Sequence, residues 1–316
     1  MTRPDPLPWL LEPDNPSARY LTLTDVLDRP AGDREVEMAR RAIPAQGPAR
    51  AILDAQWPAG YWMRPGVGYS PKYKATVWQI LFLAALGTPR TEALDRVCAY
   101  VLDHSRLPDG RFSAHKTAKG ATTCLNGNLL RAFFRLDYRD PRLEGSLEAL
   151  VEMVASDRFC CRFNALRPLP TSMGDGLPCA WGAVKALAAF AEIPEQQRSS
   201  SVRRAIRHGV SFLLEGNLAL GDYPTATGPS PFWHRLGFPL GYRSDLVEAL
   251  EVLGRMGVGH SPALVEALRF VEEKRDPEGR WQLEHTLPNT WATFGQVNQP
   301  NKWVTIRALR ALRYWA

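Results

Sequence analysis

The sequence contains no long hydrophobic run, because polar or charged residues interrupt every apolar stretch well before about 18 residues. A helix that crosses a bilayer needs about 20 mostly apolar residues in succession, so we expect no integral membrane segment. The N-terminal stretch MTRPDPLPWLLEPDNP has acids and prolines where a secretory signal needs an apolar segment. We therefore expect a cytoplasmic protein.

Blocks of basic residues are also missing. The net charge of +6 arises from 39 Lys and Arg against 33 Asp and Glu, and the arginines are spread along amphipathic stretches. Nucleic-acid binding usually requires a basic patch on one face, so we expect no nucleic acid partner. The five cysteines are an odd number without a secretion signal, which argues against a disulfide framework.

Strand-like alternation of apolar and polar residues persists nowhere, and helical segments take its place. Five strongly apolar segments can be aligned with one another. They are KATVWQILFLAALG from Lys74, CLNGNLLRAFFRLD from Cys124, CAWGAVKALAAFAE from Cys179, SDLVEALEVLGRMG from Ser244 and KWVTIRALRALRYW from Lys302. The first four are each followed by a more amphipathic helical stretch, at 91–104, 141–155, 199–215 and 261–274. Such self-similarity is typical of helical-pair repeats.

Helices that are apolar all round are buried, whereas helices with one apolar face lie outside them. The alternation predicts an all-α fold, an α/α toroid in which an inner ring of helices is covered by an outer ring. The N-terminal stretch supplies a sixth pair, with 17–28 inside and 34–43 outside. We expect a single domain over residues 1–316, built of about six hairpins, whose last helix, 302–315, packs near the first.

The loops before the inner helices share a second pattern, a glycine followed two residues later by an aromatic residue. It occurs in AGYWMRPGVGYSPKYKATVW, DGRFSAHKTAKGATTCL and EGRWQLEHTLPNTW. With an apolar helix ending in Leu-Gly, this pattern resembles the repeats of the squalene-cyclase and protein-prenyltransferase β-subunit superfamily. The resemblance runs from about residue 47 to the C-terminus and is fainter before it. It leaves the subfamily open, because one fold hosts many activities.

The resemblance implies a central aromatic cavity that binds an isoprenoid chain. Triterpene cyclases protonate their substrate with an Asp-x-Asp-Asp motif, which is missing here, as is the Asp-Asp-x-x-Asp diphosphate–magnesium motif. Asp245, at the start of an inner helix, is a candidate substitute acid, or else an acidic residue that the helix dipole favours. The Asp-x-Cys zinc pair of the prenyltransferases is missing too, since Asp175 and Cys179 are four residues apart.

Five lysines lie at or just before the starts of the inner helices: Lys72, Lys74, Lys116, Lys119 and Lys302. Because the inner helices all begin at one end of the ring, and helix N-termini add partial positive charge, we expect a basic mouth there. With Tyr73 beside the lysines, this mouth suits an amphiphile with a phosphate or carboxylate head. Alternatively, each lysine is a solvated loop charge.

Aromatic residues concentrate in the same mouth loops and inner helices. The candidates for substrate binding are Trp78, Trp181, Trp233 and Trp303. Phe232, Phe238 and Tyr242, in the same loop as Trp233, SPFWHRLGFPLGYRSD, either line the cavity or plug it. Such rings stabilise carbocations through cation–π contacts, but they can equally fill the ring as core. His234 of the same loop is a candidate acid or base, although a lone loop histidine is more often simply exposed.

The cysteines form the last pattern. Cys124 and Cys179 occupy identical positions of consecutive inner segments, and Cys161 lies in the loop between them. Clustered thiols in a cytosolic protein point to a metal or to catalysis rather than to a disulfide. With Asp175 or His234 as fourth ligand they could hold zinc, or they could pack as small apolar side chains.

We therefore predict a terpenoid cyclase-like or prenyltransferase-like protein that binds an isoprenoid diphosphate, or a similar amphiphile, in a central aromatic cavity. The reaction we expect is ionisation of the carbon–oxygen bond to diphosphate, followed by cyclisation or transfer. The alternative is a non-catalytic toroidal module with a filled centre and a protein partner, in which cysteine-bound zinc has a structural role. An open apolar cavity near the lysines favours the first hypothesis, and a centre packed with tryptophan favours the second.

Overall fold

The structure is a computed structural model, and it describes residues 4–156, 159–161, 177–221, 230–259 and 261–315. Its helices are α1 (Leu7–Leu10), α2 (Pro16–Asp25), α3 (Arg34–Ala42), α4 (Gly47–Asp54), α5 (Thr76–Ala85), α6 (Glu92–Ser105), α7 (Thr123–Arg135), α8 (Arg142–Ser156), α9 (Ala180–Ala191), α10 (Ser200–Glu215), α11 (Leu246–Arg255), α12 (Pro262–Glu273) and α13 (Lys302–Arg313). A short antiparallel ladder pairs β1 (Cys160–Cys161) with β2 (Leu177–Pro178). None of the described helices combines the length and the apolar character that a membrane span requires.

The helices form two concentric layers. The inner layer consists of α2, α5, α7, α9, α11 and α13, and along this ring α5 packs on α7, α7 on α9, α9 on α11 and α11 on α13. Burial follows the layers, since α9 buries eleven of its twelve residues whereas α12, in the outer layer, buries three of its twelve. The all-α toroid predicted from the alternation of apolar and amphipathic segments is therefore confirmed.

The ring closes where α13 packs against α2. Trp303 Nε1 donates a hydrogen bond to Ser17 Oγ at 3.1 Å, and Arg310 donates to Asp25 at 2.7 Å. The Ser17 hydroxyl in turn donates to the Leu86 carbonyl at the end of α5. The last inner helix thus lies beside the first, as a closed ring requires.

Side-chain caps mark where many of these helices begin. The caps accept hydrogen bonds from backbone N–H groups of the first turn and are Asn15, Asp33, Thr91, Ser199, Asp245 and Asn301. Residues of these types favour helix starts because their short side chains satisfy otherwise unpaired donors. The inner helices α11 and α13 therefore begin at positions set by the local sequence.

Helices α7 and α9 approach each other closely through a glycine. A Cβ atom at Gly127 would lie 2.4 Å from the Lys185 carbonyl oxygen of α9. Such a distance is below any normal contact, so only glycine permits this approach. Near this contact, Lys185 of α9 and Arg131, one turn further along α7, both bind Glu248.

Candidate functional site

A loop divides the centre of the ring. Residues 237–241, which we call the plug, precede α11 and contact inner helices on different sides of the ring. The Asn128 amide of α7 donates to the Gly241 carbonyl at 2.9 Å. The Phe238 ring stacks on Trp303 of α13, with centroids 5.2 Å apart and planes 4° from parallel. Phe238 therefore fills part of the ring centre.

A central cavity lies against the plug and opens to solvent, and the space free of atoms within it and at its mouth is about 760 Å³. Its walls carry seven charged side chains: Arg131, Arg135, Lys185, Glu248, Glu251, Arg307 and Arg310. Its aromatic walls are Phe82, Phe238 and Trp303. This differs from the mainly aromatic lining that we expected. Helices α7, α9, α11 and α13 each contribute one or two charged side chains to the cavity. Because these charges are few in each segment, the sequence pattern indicated apolar helices.

Ion pairs connect these charges. Lys185 Nζ donates to both carboxylate oxygens of Glu248, at 3.0 and 2.7 Å, and Arg131 donates to the same carboxylate at 2.8 Å. Burial alone would raise the pKa of Glu248, but the charges of Lys185, Arg131 and Arg307 outweigh burial and lower this pKa to about 2. Glu248 is therefore ionised at neutral pH and neutralises the cations around it.

Asp245, the candidate acid, belongs to the same network. Its carboxylate accepts two hydrogen bonds from Arg307 and one each from the backbone N–H groups of Glu248 and Gly237. These contacts use both carboxylate oxygens as acceptors, so a proton on Asp245 would have to displace one of them. The structure thus shows Asp245 as the cap of α11, and its role as a catalytic acid stays a prediction.

An aromatic cluster lies against the plug at Gly241. We call the cluster the aromatic face, and its members are Tyr69, Tyr73, Trp78, Trp181 and Tyr242. The Trp78 ring lies 5.0 Å from both Tyr69 and Tyr73 and 6.2 Å from Tyr242, which in turn lies 6.0 Å from Trp181. Tyr69, Trp181 and Tyr242 are half-buried, so the cluster is accessible to solvent.

Cationic side chains cover the rings at this face. Lys72 Nζ lies 4.5 Å from the centroid of Tyr242, and Lys74 Nζ lies 4.7 Å from that of Trp291. Both distances are within the range of cation–π attraction. The structure therefore brings Lys72, Tyr73, Trp78 and Trp181 together, whereas Lys74 lies over Trp291, outside the five-member aromatic face.

Arg243 and His285 extend this basic region, and the sequence analysis did not select Arg243. The Arg243 guanidinium lies 3.6 Å from the Phe232 ring centroid, and its Nη1 donates to His285 Nε2 at 3.4 Å. Burial and the charges of Arg243 and Arg235 lower the pKa of His285 below its usual value. His285 is therefore a neutral imidazole at neutral pH. The sequence feature that could have identified Arg243 is its position directly after Tyr242 in the aromatic loop before α11.

The remaining lysine candidates have other contacts. Lys302 is buried, and its Nζ binds Glu12 and Asp14 at 2.9 and 2.6 Å. Lys116 Nζ donates to backbone carbonyls at and beyond the end of α6, at 3.2 and 3.3 Å, and Lys119 is exposed. The shared repeat position of Lys74 and Lys302 did not produce a shared environment, because the N-terminal segment covers the start of α13.

Trp233 and His234 also face away from the aromatic face. Trp233 is buried and its Nε1 donates to the Leu218 carbonyl at 2.8 Å, while His234 Nε2 donates to the Ala219 carbonyl at 2.6 Å. The His234 ring packs 5.1 Å from Phe270 of α12. Both side chains anchor the loop to the segment after α10. Trp303, in contrast, lines the central cavity.

The three candidate zinc ligands adjoin one another. The β1–β2 ladder places Cys161 beside Cys179, whose thiol hydrogen-bonds to it. This hydrogen bond and burial raise the pKa of Cys179 well above its usual value, and burial raises that of Cys124. Both thiols are therefore protonated at neutral pH. Within the described ranges, no three His, Cys, Asp or Glu side chains are arranged to hold a metal ion, and Asp175 lies outside them. The described thiols do not fit a metal centre.

Comparisons with known proteins establish the class. No protein-family model and no curated protein matches the chain. A polysaccharide lyase of known structure superposes on 95% of this chain and 89% of its own, with a TM-score of 0.54 and 13% identity. The type II terpene cyclase MstE from Scytonema superposes on 95% of this chain and 87% of its own, with a TM-score of 0.48 and 14% identity. The likeness to the lyase shows the fold, and the chain is an α/α toroid.

Proposed function

We propose that the protein binds an anionic amphiphile of the isoprenoid diphosphate class on the aromatic face. The observation that carries this proposal is the position of Lys72, whose ammonium lies 4.5 Å from the Tyr242 ring at the edge of the five-residue aromatic cluster. Apolar rings next to a few cations are the usual composition of a site for such a ligand. The plug and the charged walls leave too little apolar surface in the ring centre for a long prenyl chain, so the chain lies along the aromatic face.

The reaction that this arrangement favours is ionisation of the prenyl carbon–oxygen bond. Both electrons of that bond leave with the diphosphate oxygen, and Lys72, Lys74 and Arg243 stabilise the departing negative charge. The allylic cation that remains is stabilised by the half-buried Trp181 and Tyr242 rings. An alkene of the same chain or a nucleophile of an acceptor then forms the new bond.

A proton is released when the final cation collapses to an alkene. His285 becomes a suitable acceptor when Arg243 turns to the departing diphosphate, because Nε2 of its neutral imidazole, which accepts from Arg243 in the structure, is then free. The Tyr73 phenol is not a suitable proton acceptor, because burial and the neighbouring Tyr242 raise its pKa to about 12. Tyr73 therefore stays protonated and acts as a hydrogen-bond donor or as an apolar wall.

Calorimetric titration with geranylgeranyl diphosphate, geranylgeraniol and inorganic diphosphate tests this proposal. We expect Lys72→Ala to weaken geranylgeranyl diphosphate binding at least about tenfold, as loss of a charge-assisted contact of about 1.5–3 kcal/mol predicts. Binding of the uncharged alcohol should change little. Lys274→Ala is the matched control, because Lys274 also lies over an aromatic ring, Phe270 at 4.9 Å, outside the aromatic face. Equal affinity of all three proteins for the diphosphate would refute the proposal.

A second candidate function is the non-catalytic module. The plug supports it, because residues 237–241 fill part of the ring centre and Phe238 is buried there. Release of inorganic diphosphate during incubation with geranylgeranyl diphosphate distinguishes the two candidates, since a pure binding protein releases none.

Metal analysis of the purified protein tests the zinc prediction, which requires one zinc per chain that Cys161→Ser removes.

A further inference from the structure

The walls of the central cavity carry five Arg or Lys side chains and two Glu side chains. Three further carboxylates behind the walls, Asp25, Glu192 and Asp245, pair with Arg310, Arg131 and Arg307. Lys185, Arg307 and Arg310 each donate hydrogen bonds to a carboxylate. Arg135 differs from them. Its nearest carboxylate is that of Asp25 at 3.7 Å, and its guanidinium donates no hydrogen bond to any residue that the structure describes. The cavity thus contains one cation that the network does not fully neutralise.

Arg131 adds a second donor near Arg135. The two residues are one turn apart on α7, so they lie on the same face of the helix. Nε of Arg131 is buried without a hydrogen bond and faces Glu192 at 3.4 Å. Their side chains keep 15% and 18% of their surface exposed, so solvent and small solutes reach both. Burial and the charges of Arg131 and Arg310 lower the pKa of Arg135 and outweigh the opposing charges of Glu192 and Asp25, and an added negative charge would oppose this lowering.

We propose that the central cavity binds an oxyanion, a phosphate or a carboxylate, between Arg131 and Arg135. Planar guanidinium groups match the two oxygens of either anion with paired hydrogen bonds. Leu81, Phe82 and Trp303 form apolar walls of the same cavity, so the anion carries an apolar body. This site is separate from the aromatic face, because the plug lies between them.

Isothermal titration of the full chain at low salt tests this site with four probes: inorganic phosphate, acetate, octyl phosphate and octanoate. We expect saturable binding of at least one of them. Arg135→Gln should weaken this binding at least about tenfold, as loss of a charge-assisted pair predicts. Arg139→Gln is the matched control, since it removes a guanidinium close by in the chain whose side chain is 84% exposed, and it should bind like the wild type.

The four probes also identify the ligand. Tighter binding of octyl phosphate than of octanoate assigns a phosphate head, and the reverse order assigns a carboxylate head. Tighter binding of either octyl compound than of its small counterpart confirms the apolar body. Arg135→Gln removes an incompletely neutralised cation, so its melting temperature without ligand should equal or exceed that of the wild type. If Arg135→Gln does not fold, Arg135→Lys replaces it in the titration. This variant keeps the positive charge but loses the paired donors of the guanidinium, so it should bind the probes more weakly than the wild type.

Two results would overturn the inference. One is that the wild type binds none of the four probes. The other is that Lys72→Ala abolishes their binding while Arg135→Gln retains it, because the anion would then lie at the aromatic face. That second result leaves the proposed function intact, so the two proposals fail separately.

Discussion

Arg307 donates one hydrogen bond to each carboxylate oxygen of Asp245, at 2.9 and 2.6 Å. The pair joins α13 to the residue that caps α11, and Arg307 also donates to the Gly237 carbonyl of the plug. Both side chains are buried, at 10% and 1% exposure. Such a pair adds little net stability compared with apolar packing, but it requires both partners. Its role in this fold is to hold the plug against two inner helices.

Removal of one partner should therefore be costly. We expect Arg307→Met to lower the free energy of unfolding by about 3–5 kcal/mol, because it leaves the Asp245 carboxylate buried without its cation. Urea denaturation monitored by circular dichroism measures this change. Arg313→Met, which removes an arginine paired with the exposed Asp28, should cost less than about 1 kcal/mol. Adding Asp245→Asn to Arg307→Met should recover part of the loss, and a further loss in the double variant would contradict this account.

The contact of α7 with α9 predicts a difference between two glycines. Gly127→Ala places a Cβ 2.4 Å from the Lys185 carbonyl oxygen, so the helices must separate, at a cost of about 1–3 kcal/mol. Gly182→Ala, in the same helix pair, meets Thr123 at an ordinary 3.4 Å and gains up to about 1 kcal/mol of helix propensity. Thermal unfolding of both variants checks the prediction. Equal melting temperatures would show that the close approach does not constrain α7.

Acid should destabilise the ring centre. Burial alone would raise the pKa values of Glu192 and Glu248, but neighbouring arginines, with Lys185 for Glu248, lower both to about 2 from 4.5. A carboxyl group whose pKa is lowered on folding stabilises the fold fully above the unfolded value and loses that contribution as pH falls through the folded value. We expect stability to be constant from neutral pH to about 5 and to fall between about pH 5 and 2, by up to about 1.4 kcal/mol per pH unit for each group.

Chemical denaturation at a series of pH values measures this slope. Glu248→Gln removes one of the two groups, so its stability should be lower at neutral pH and depend less steeply on pH in the acidic range. A variant slope equal to that of the wild type would show that Glu248 does not titrate as described.

The protonated thiols predict slow alkylation. Because the pKa values of Cys124 and Cys179 are raised, few of these thiols ionise at neutral pH, and the thiolate is the reactive form. Iodoacetamide labelling followed by peptide mass spectrometry should show both cysteines modified far more slowly in the folded protein than in urea. Cys98, which is buried in α6 with a raised pKa, serves as the internal reference for a thiol that reacts slowly. Labelling of Cys179 at the rate of an exposed thiol would exclude this environment.

Part of the aromatic face was predictable from the sequence. Lys72, Tyr73 and Trp78 are neighbours along the chain, so their proximity follows from one loop and the start of one helix. Tyr242 and Arg243 were not grouped with them, because they come from a loop far along the chain. That loop contains the plug, and it reaches α5 only because the plug lies in the centre of the ring.

The central cavity was not predictable. Inner segments were judged by their apolar character, and one or two charges per helix look like exceptions in such a pattern. Arg131, Lys185, Glu248 and Arg307 come from four different helices, and each has its partner on another one. Their pairing depends on the rotation and height of each helix, which no single segment encodes.

The sequence by itself determined the all-α toroid and the order of inner and outer helices. It did so because the pattern of apolar residues within a helix reports directly how much of that helix is buried. The close match of α5 (Thr76–Ala85) and α13 (Lys302–Arg313) to the predicted segments follows from the same local signals. Only the tertiary structure decided that the plug closes the centre and that buried charges line the cavity, because these features arise from contacts between segments that are distant in the chain.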